Sequence, residues 1–198
     1  MRLLTHLYQH WLGFVIILYV SVFWLCFYVI FPIEYYFLGQ SSAIASIIFL
    51  PHAVRVLSSW LLGPKVLFAL IPAEIITHMI WGLEYHTYQS YLIPFFSASS
   101  AVLAFEALRM MGYQVYPNWH IKPNWLGVIF AGALASVFNS LSGAYLKSEV
   151  FAKDDFLEII ARFIIGDIMG LILSMFILMY LFRFIDRRSV PHTSRAMN

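Results

Sequence analysis

The sequence predicts an all-α polytopic membrane protein, with about six transmembrane helices in one bundle and no separate soluble domain. Three observations predict it. Of 198 residues, 62% are hydrophobic and 11% charged, against about 45–50% and about 25% in a soluble domain. The apolar runs are long enough to cross a hydrocarbon core of about 30 Å. The basic residues fall in alternate loops, as the positive-inside rule requires of cytoplasmic ones. The net charge of +2 is split among those loops and too small to argue for a nucleic-acid partner. The partners expected are the lipid bilayer, another membrane protein and a small-molecule ligand.

The first expected span is 11–31. It is uncharged and has Trp11, Tyr28, Tyr35 and Tyr36 at or near its ends, where interfacial aromatics sit. It is longer than the roughly 7–15 apolar residues of a cleavable signal, so it reads as a retained helix. Cys26, the only cysteine, excludes an internal disulfide and reads as a packing residue. The second span, 37–62, opens on Ser41, Ser42, Ala45 and Ser46, which permit close helix contact, and is expected to bend near Pro51. A Gly63-Pro64-Lys65 turn leads to the third, 66–81, which is short and carries Pro72.

The fourth span, 91–111, has Pro94 early and Glu106 and Arg109 late, and a polar loop follows to Asn124. In the fifth, 125–146, Gly127, Ala131 and Ala135 recur every fourth residue, beside Gly132 and Ser136, making a narrow face for a neighbouring helix. The sixth, 156–184, contains Gly166-Asp167-Ile168-Met169-Gly170, a GxxxG spacing with an acid inside it. Near its start Glu158 and Arg162, four apart, read as a helix-surface pair. The tail after Asp186 is short and polar and is expected to be disordered.

Six spans put both termini on one side. Arg2, Lys65, Lys122, Arg183, Arg187, Arg188 and Arg195 fall on that side, and Glu34, Glu84, Glu149, Asp154 and Asp155 on the other, against only Lys147 and Lys153. The bias makes both termini cytoplasmic, in a bacterial-type inner membrane.

The candidate site is His52, Arg55, Glu74, His78 and Asp167. Ionisable groups at bilayer depth are expensive unless paired or hydrated. At a rise of about 1.5 Å per residue, Arg55 lies roughly 10 Å, Glu74 roughly 12 Å and Glu106 roughly 8 Å from the inner ends of their spans, with Asp167 near the midplane. His52 and Arg55 share a helix face, to contact an anion or substrate, or with Arg55 reaching the interface or pairing with an acid. Glu74 and His78, four apart, read as a hydrogen-bonded structural pair, as a proton or ligand site or, with His52, as an incomplete metal-ligand set. Asp167 is too deep and too short to reach water along its own helix; Arg55 is its leading expected partner, with Glu74 competing for that Arg. No cofactor is indicated. With no GxSxG elbow, P-loop or zinc-protease motif, the chain does not read as an enzyme, and the serines of spans two and four read as packing residues.

Two segments carry a family likeness: Leu50–Lys65, LPHAVRVLSSWLLGPK, and Ala161–Leu178, ARFIIGDIMGLILSMFIL. They resemble the membrane-associated sensor domains of the MASE type, with Pro51, Arg55, Gly63, Gly166, Asp167 and Gly170 at the matching positions. Such domains are usually fused to histidine kinase or diguanylate cyclase output domains; these 198 residues hold none. The resemblance implies a stand-alone, sensor-like module that binds a ligand or partner within the bilayer. Six helices in so short a chain also look like the substrate-binding component of an energy-coupling vitamin transporter, which implies a small-solute or vitamin transport subunit. The small-residue faces would equally suit a structural subunit of a membrane complex.

Overall fold

The computed structural model describes residues 10–39, 46–80, 88–117, 124–146 and 156–189. The acids expected on the outer side, Glu84, Glu149, Asp154 and Asp155, most of the loop lysines, the small residues Ser41, Ser42 and Ala45, the tail past Ser189 and the Glu158 side chain lie outside the described residues.

The described residues are helical almost throughout. Helix α1, Trp11–Leu25, runs through a π-helical turn, Cys26–Ile30, into α2, Phe31–Leu38. The widened turn has a local cause. Pro32 offers no N–H and its ring crowds the carbonyl four residues back; the preceding N–H, of Phe31, bonds to the carbonyl of Cys26 five residues back instead. The first rod is therefore longer than the expected 11–31, and residues 37 and 38 belong to it and not to the second span.

Helix α3 spans Leu50–Leu62, and after a 3-10 turn, Gly63–Val66, α4 spans Leu67–Ile80. Leu50–Ile80 counts as one 31-residue apolar stretch by length and composition, but the chain reverses within it. Gly63 has φ +65 and ψ −158, a backbone conformation that an L side chain resists. Arg55 and Glu74, 19 residues apart, approach to 3.5 Å; in an unbroken helix they would stand about 28 Å apart. The second expected span is corrected accordingly. Its helix begins at Leu50, not residue 37, and Pro51 makes no bend because it sits in the first helical turn, where its missing N–H has no partner to lose. At 13 and 14 residues, the two arms are about 20 Å long, short of a full bilayer crossing.

Helices α5 (Tyr88–Met110), α6 (Trp125–Leu146) and α7 (Phe156–Ser189) follow, close to the expected fourth, fifth and sixth spans. The short α3 is the axis: it packs on α1, α5, α6 and α7, while α1–α4, α4–α5, α5–α6 and α6–α7 contacts run round it. One apolar cluster joins Ala53, Val56 and Trp60 of α3 to Phe105, Ala131, Ala135 and Leu171; a second joins Val15 and Tyr19 to Leu70, Ala73, Ala98 and Val102. The outward faces are apolar too, with Phe130, Leu126 and Ile177 exposed, the pattern expected of helices that face lipid.

The expected narrow face of α6 faces inward at Ala131 and Ala135, which are fully buried. Gly127 instead serves the helix start, donating its N–H to Asn124 Oδ1 at 3.0 Å. Ala131→Leu overpacks this seam and is expected to destabilise the protein by roughly 1–3 kcal/mol, read as a lower denaturation midpoint in detergent. An unchanged midpoint would refute the packing.

Candidate functional site

Helix α3 is entered by a short non-helical stretch, Ser46–Phe49. Buried backbone groups must find partners, and here the partners come from neighbouring helices. The Glu34 carboxylate of α2 accepts the N–H groups of Ile47 (3.1 Å) and Ile48 (3.0 Å). The Phe49 N–H donates to the Gly166 carbonyl of α7 at 3.0 Å. The Ser46 hydroxyl donates to Ile48 O, closing a local turn. The stretch lies along a groove in α7 that exists because Gly166 and Gly170 have no side chains. A Cβ at Gly166 would fall 2.2 Å from Ser46 O, and one at Gly170 2.3 Å from Phe49 O. The GxxxG spacing thus seats a peptide, not a helix. Glu34, counted by sequence among the acids of the outer side, is buried and holds this peptide.

Beyond it, α3 carries His52 and Arg55, both buried, and they turn to different partners. Arg55 faces α4, α5 and α6. Its Nη1 donates to Ser97 O at 3.2 Å, to the Ser97 hydroxyl and to Asn139 Oδ1 at 3.3 Å, and stands 3.5 Å from Glu74 Oε1. Two hydrogens on one nitrogen serve all four acceptors, so the bonds are shared. Glu74 Oε1 also accepts the Tyr19 hydroxyl from α1 and the Ser97 hydroxyl, each at 2.6 Å. Ser97 is therefore the bridge between Arg55 and Glu74, and two short hydrogen bonds to an ionised oxygen are the strong kind. His78 donates Nδ1–H to the Glu74 carbonyl at 2.9 Å, with Oε2 of the same residue 3.8 Å away.

His52 faces α6 and α7. Its Nε2 is 3.0 Å from Gly132 O, and its Nδ1 is 3.3 Å from Asp167 Oδ2, off the axis of a well-formed hydrogen bond. The Ser136 hydroxyl donates to the same Asp167 oxygen at 2.8 Å. The expected Asp167–Arg55 pair is therefore corrected. Arg55 belongs to Glu74, and Asp167 belongs to His52. Residues three apart on a helix differ by about 60° in direction, enough for His52 to meet α7 while Arg55 meets α4 and α5, with α6 between them.

The structure brings all five candidate residues into the central region, on α3, α4 and α7. Glu106 is not among them. It holds Arg109 Nη2 at 2.6 Å and accepts the Tyr116 hydroxyl at 2.8 Å near the C-terminal end of α5. Burial, and then the Glu106 carboxylate, push the Tyr116 hydroxyl above its ordinary range. Among the described residues, no group of three or more His, Cys, Asp or Glu could hold a metal ion; His52 is turned away from Glu74 and His78. Sequence reasoning missed Tyr19, Ser97, Ser136 and Asn139. Tyr19 shares a helix face with buried Val15, but α1 is apolar all round, so nothing marks that face. Ser97 reads as one of several packing serines.

Among the described residues, five helical stretches are long and apolar enough to cross a membrane by length and composition, the Leu50–Ile80 hairpin counted as one, and this all-helical architecture holds a buried polar core. No family model, curated protein or solved structure matches the chain.

Proposed function

We propose that the protein is a sensor-like module of a bacterial-type inner membrane, which binds a ligand or a partner protein within the bilayer and answers by changing how α3 is seated. In this reading α1–α2, α5, α6 and α7 each cross the bilayer. The α3–α4 hairpin makes two short crossings, six in all, with Lys65 and both termini on the cytoplasmic side. Lys65 lies 5.7 Å from the Trp11 ring at the start of α1, which is consistent with that side.

The observation that carries the proposal is the seating of α3. It is an axial helix anchored by directional polar contacts to α4, α5, α6 and α7, and it is led by a peptide resting in a glycine groove. Such contacts have discrete alternatives, unlike apolar packing against lipid, and a switch needs an element with two arrangements. The residues that carry the sensor-domain resemblance also build this seat: Pro51 starts α3, Gly63 ends it, Arg55 and Asp167 bond within it, and Gly166 and Gly170 form the groove. One observation favours transport instead. Irregular backbone leading a half-length helix is how many transporters build their substrate sites.

The test has two parts. Reporter fusions at Lys65, Lys122 and the C-terminus are expected to read cytoplasmic, and those at Glu84 and Asp154 external; an external C-terminus refutes the topology. Purification from the native membrane in mild detergent, with protein and small-molecule mass spectrometry, then identifies what is bound. A sensor changes its partner's output and shows no flux of the bound molecule in proteoliposomes. Measurable flux would replace the sensor reading with the transport one.

A further inference from the structure

The His52–Asp167 contact has a consequence for protons. Gly132 O is a backbone carbonyl and can only accept, so at 3.0 Å the His52 Nε2 must carry a hydrogen. In a neutral imidazole that leaves Nδ1 as a bare lone pair. Nδ1 faces Asp167 Oδ2 at 3.3 Å, and an ionised carboxylate is also only an acceptor. A bare ring nitrogen and a carboxylate oxygen at that distance repel, and Nδ1 is left without a hydrogen-bond partner. The Ser136 hydroxyl supplies a hydrogen to Asp167 but none to Nδ1.

The charges around the pair make the same demand. On its own helix the nearest ion is Arg55, which faces Glu74 of α4. From α1 comes Tyr19, bonded to Glu74. Also on α4, His78 bonds to the Glu74 backbone. From α5 and α6 come the uncharged Ser97, Ser136 and Asn139, while Glu106 of α5 is taken up by Arg109 and Tyr116. The Glu34 carboxylate of α2 is bonded to Ile47 and Ile48. Arg55 and Glu74 cancel, and an ionised Asp167 beside a neutral His52 would then leave one net negative charge on side chains that are 3% and 0% exposed. An isolated charge so placed is heavily penalised. One added proton removes it, whether it rides on Nδ1 or on the carboxyl group.

We infer that His52 and Asp167 form a proton-binding site that holds one exchangeable proton, on imidazole Nδ1 beside the Asp167 carboxylate, while α3 is seated. His52 lies three residues past Phe49, whose N–H is bonded to Gly166, and Gly166 precedes Asp167. The proton thus ties the start of α3 to α7 next to the glycine groove. Its release to water leaves a bare nitrogen against a carboxylate and loosens that contact. Both side chains are buried in the seated arrangement, so exchange with water accompanies opening. The inference does not depend on the sensor reading.

The test is nitrogen NMR of histidine-15N-labelled protein in lipid nanodiscs across a pH series, with His52 assigned by the loss of its signals in His52→Gln. In the wild type, Nε2 is expected to stay protonated, and Nδ1 to pass in a single step from protonated to bare. In Asp167→Asn the amide donates to Nδ1 without a titratable proton, so the step disappears while Nε2 stays protonated. A bare Nε2, an Nδ1 that is bare at every pH in the wild type, or a step unchanged in Asp167→Asn overturns the inference. If Asp167→Asn does not fold, Ser136→Ala carries the test. It removes one donor to Oδ2, so the step persists at a displaced pH, and an unmoved step overturns the inference.

Discussion

Arg55→Ala is expected to be among the most damaging single substitutions in the chain. It strips Glu74 of its cation and leaves a carboxylate 2% exposed with only hydroxyl donors. Breaking a buried pair from one side costs roughly 3–5 kcal/mol, because the remaining charge is uncompensated. Glu74→Ala is expected to cost a similar amount, stranding the Arg55 guanidinium and freeing the Tyr19 and Ser97 hydroxyls. The double substitution leaves no unpaired charge and is expected to fall well short of the sum of the two. Contacting residues in one network couple by about 0.5–3 kcal/mol, whereas independent ones add. Denaturant-monitored unfolding in mixed micelles measures the cycle. Strict additivity of Arg55 and Glu74 would mean that their 3.5 Å contact carries no energy. The Arg55/Asp167 cycle is the control. Asp167 is bonded to His52 and Ser136, so this pair is expected to lie closer to additive than Arg55/Glu74.

Gly166→Ala and Gly170→Ala are expected to be nearly as severe, although each adds a single methyl group. At both positions the new Cβ would land on the backbone of residues 46–49, 2.2 Å and 2.3 Å from carbonyl oxygens. Backbone cannot rotate out of the way as a side chain can. The 46–49 stretch must lift out of its groove, giving up the Phe49–Gly166 hydrogen bond and straining the Glu34 bonds to Ile47 and Ile48. Overpacking costs about 1–3 kcal/mol and occasionally more, and the lost hydrogen bonds to buried groups add to it. Gly132→Ala supplies the comparison. Its Cβ would meet Leu171 Cδ2 at 2.3 Å, the far end of a flexible side chain, so its cost is expected to be clearly smaller. Melting midpoints of the three variants in one detergent settle the order. A Gly132→Ala that is as damaging as Gly170→Ala would show that the groove is not a rigid seat.

Much of this molecule is legible in its sequence. The long apolar runs predict the rods, because a helix that satisfies its own backbone needs nothing from its neighbours beyond an apolar surface. The inward placement of His52, Arg55, Glu74, His78 and Asp167 follows from the expense of leaving such groups against lipid. Gly63 predicts the reversal between α3 and α4. Depth along each helix also came out well enough to put Arg55 and Glu74 on one level.

What depth does not contain is direction round the helix axis. His52 and Arg55 are one turn apart but point to different neighbours, and only the packing of α4–α7 about α3 decides that Arg55 meets Glu74 while His52 meets Asp167. The break before α3 was hidden for a related reason. Residues 37–62 are apolar and small enough to read as one helix, and the bonds that make the non-helical stretch affordable come from Glu34 and Gly166, distant in sequence on either side. Composition sets which segments avoid water. Which buried polar group finds which partner is a property of the assembled bundle, since a hydrogen bond depends on ångström distances and angles that no single helix determines.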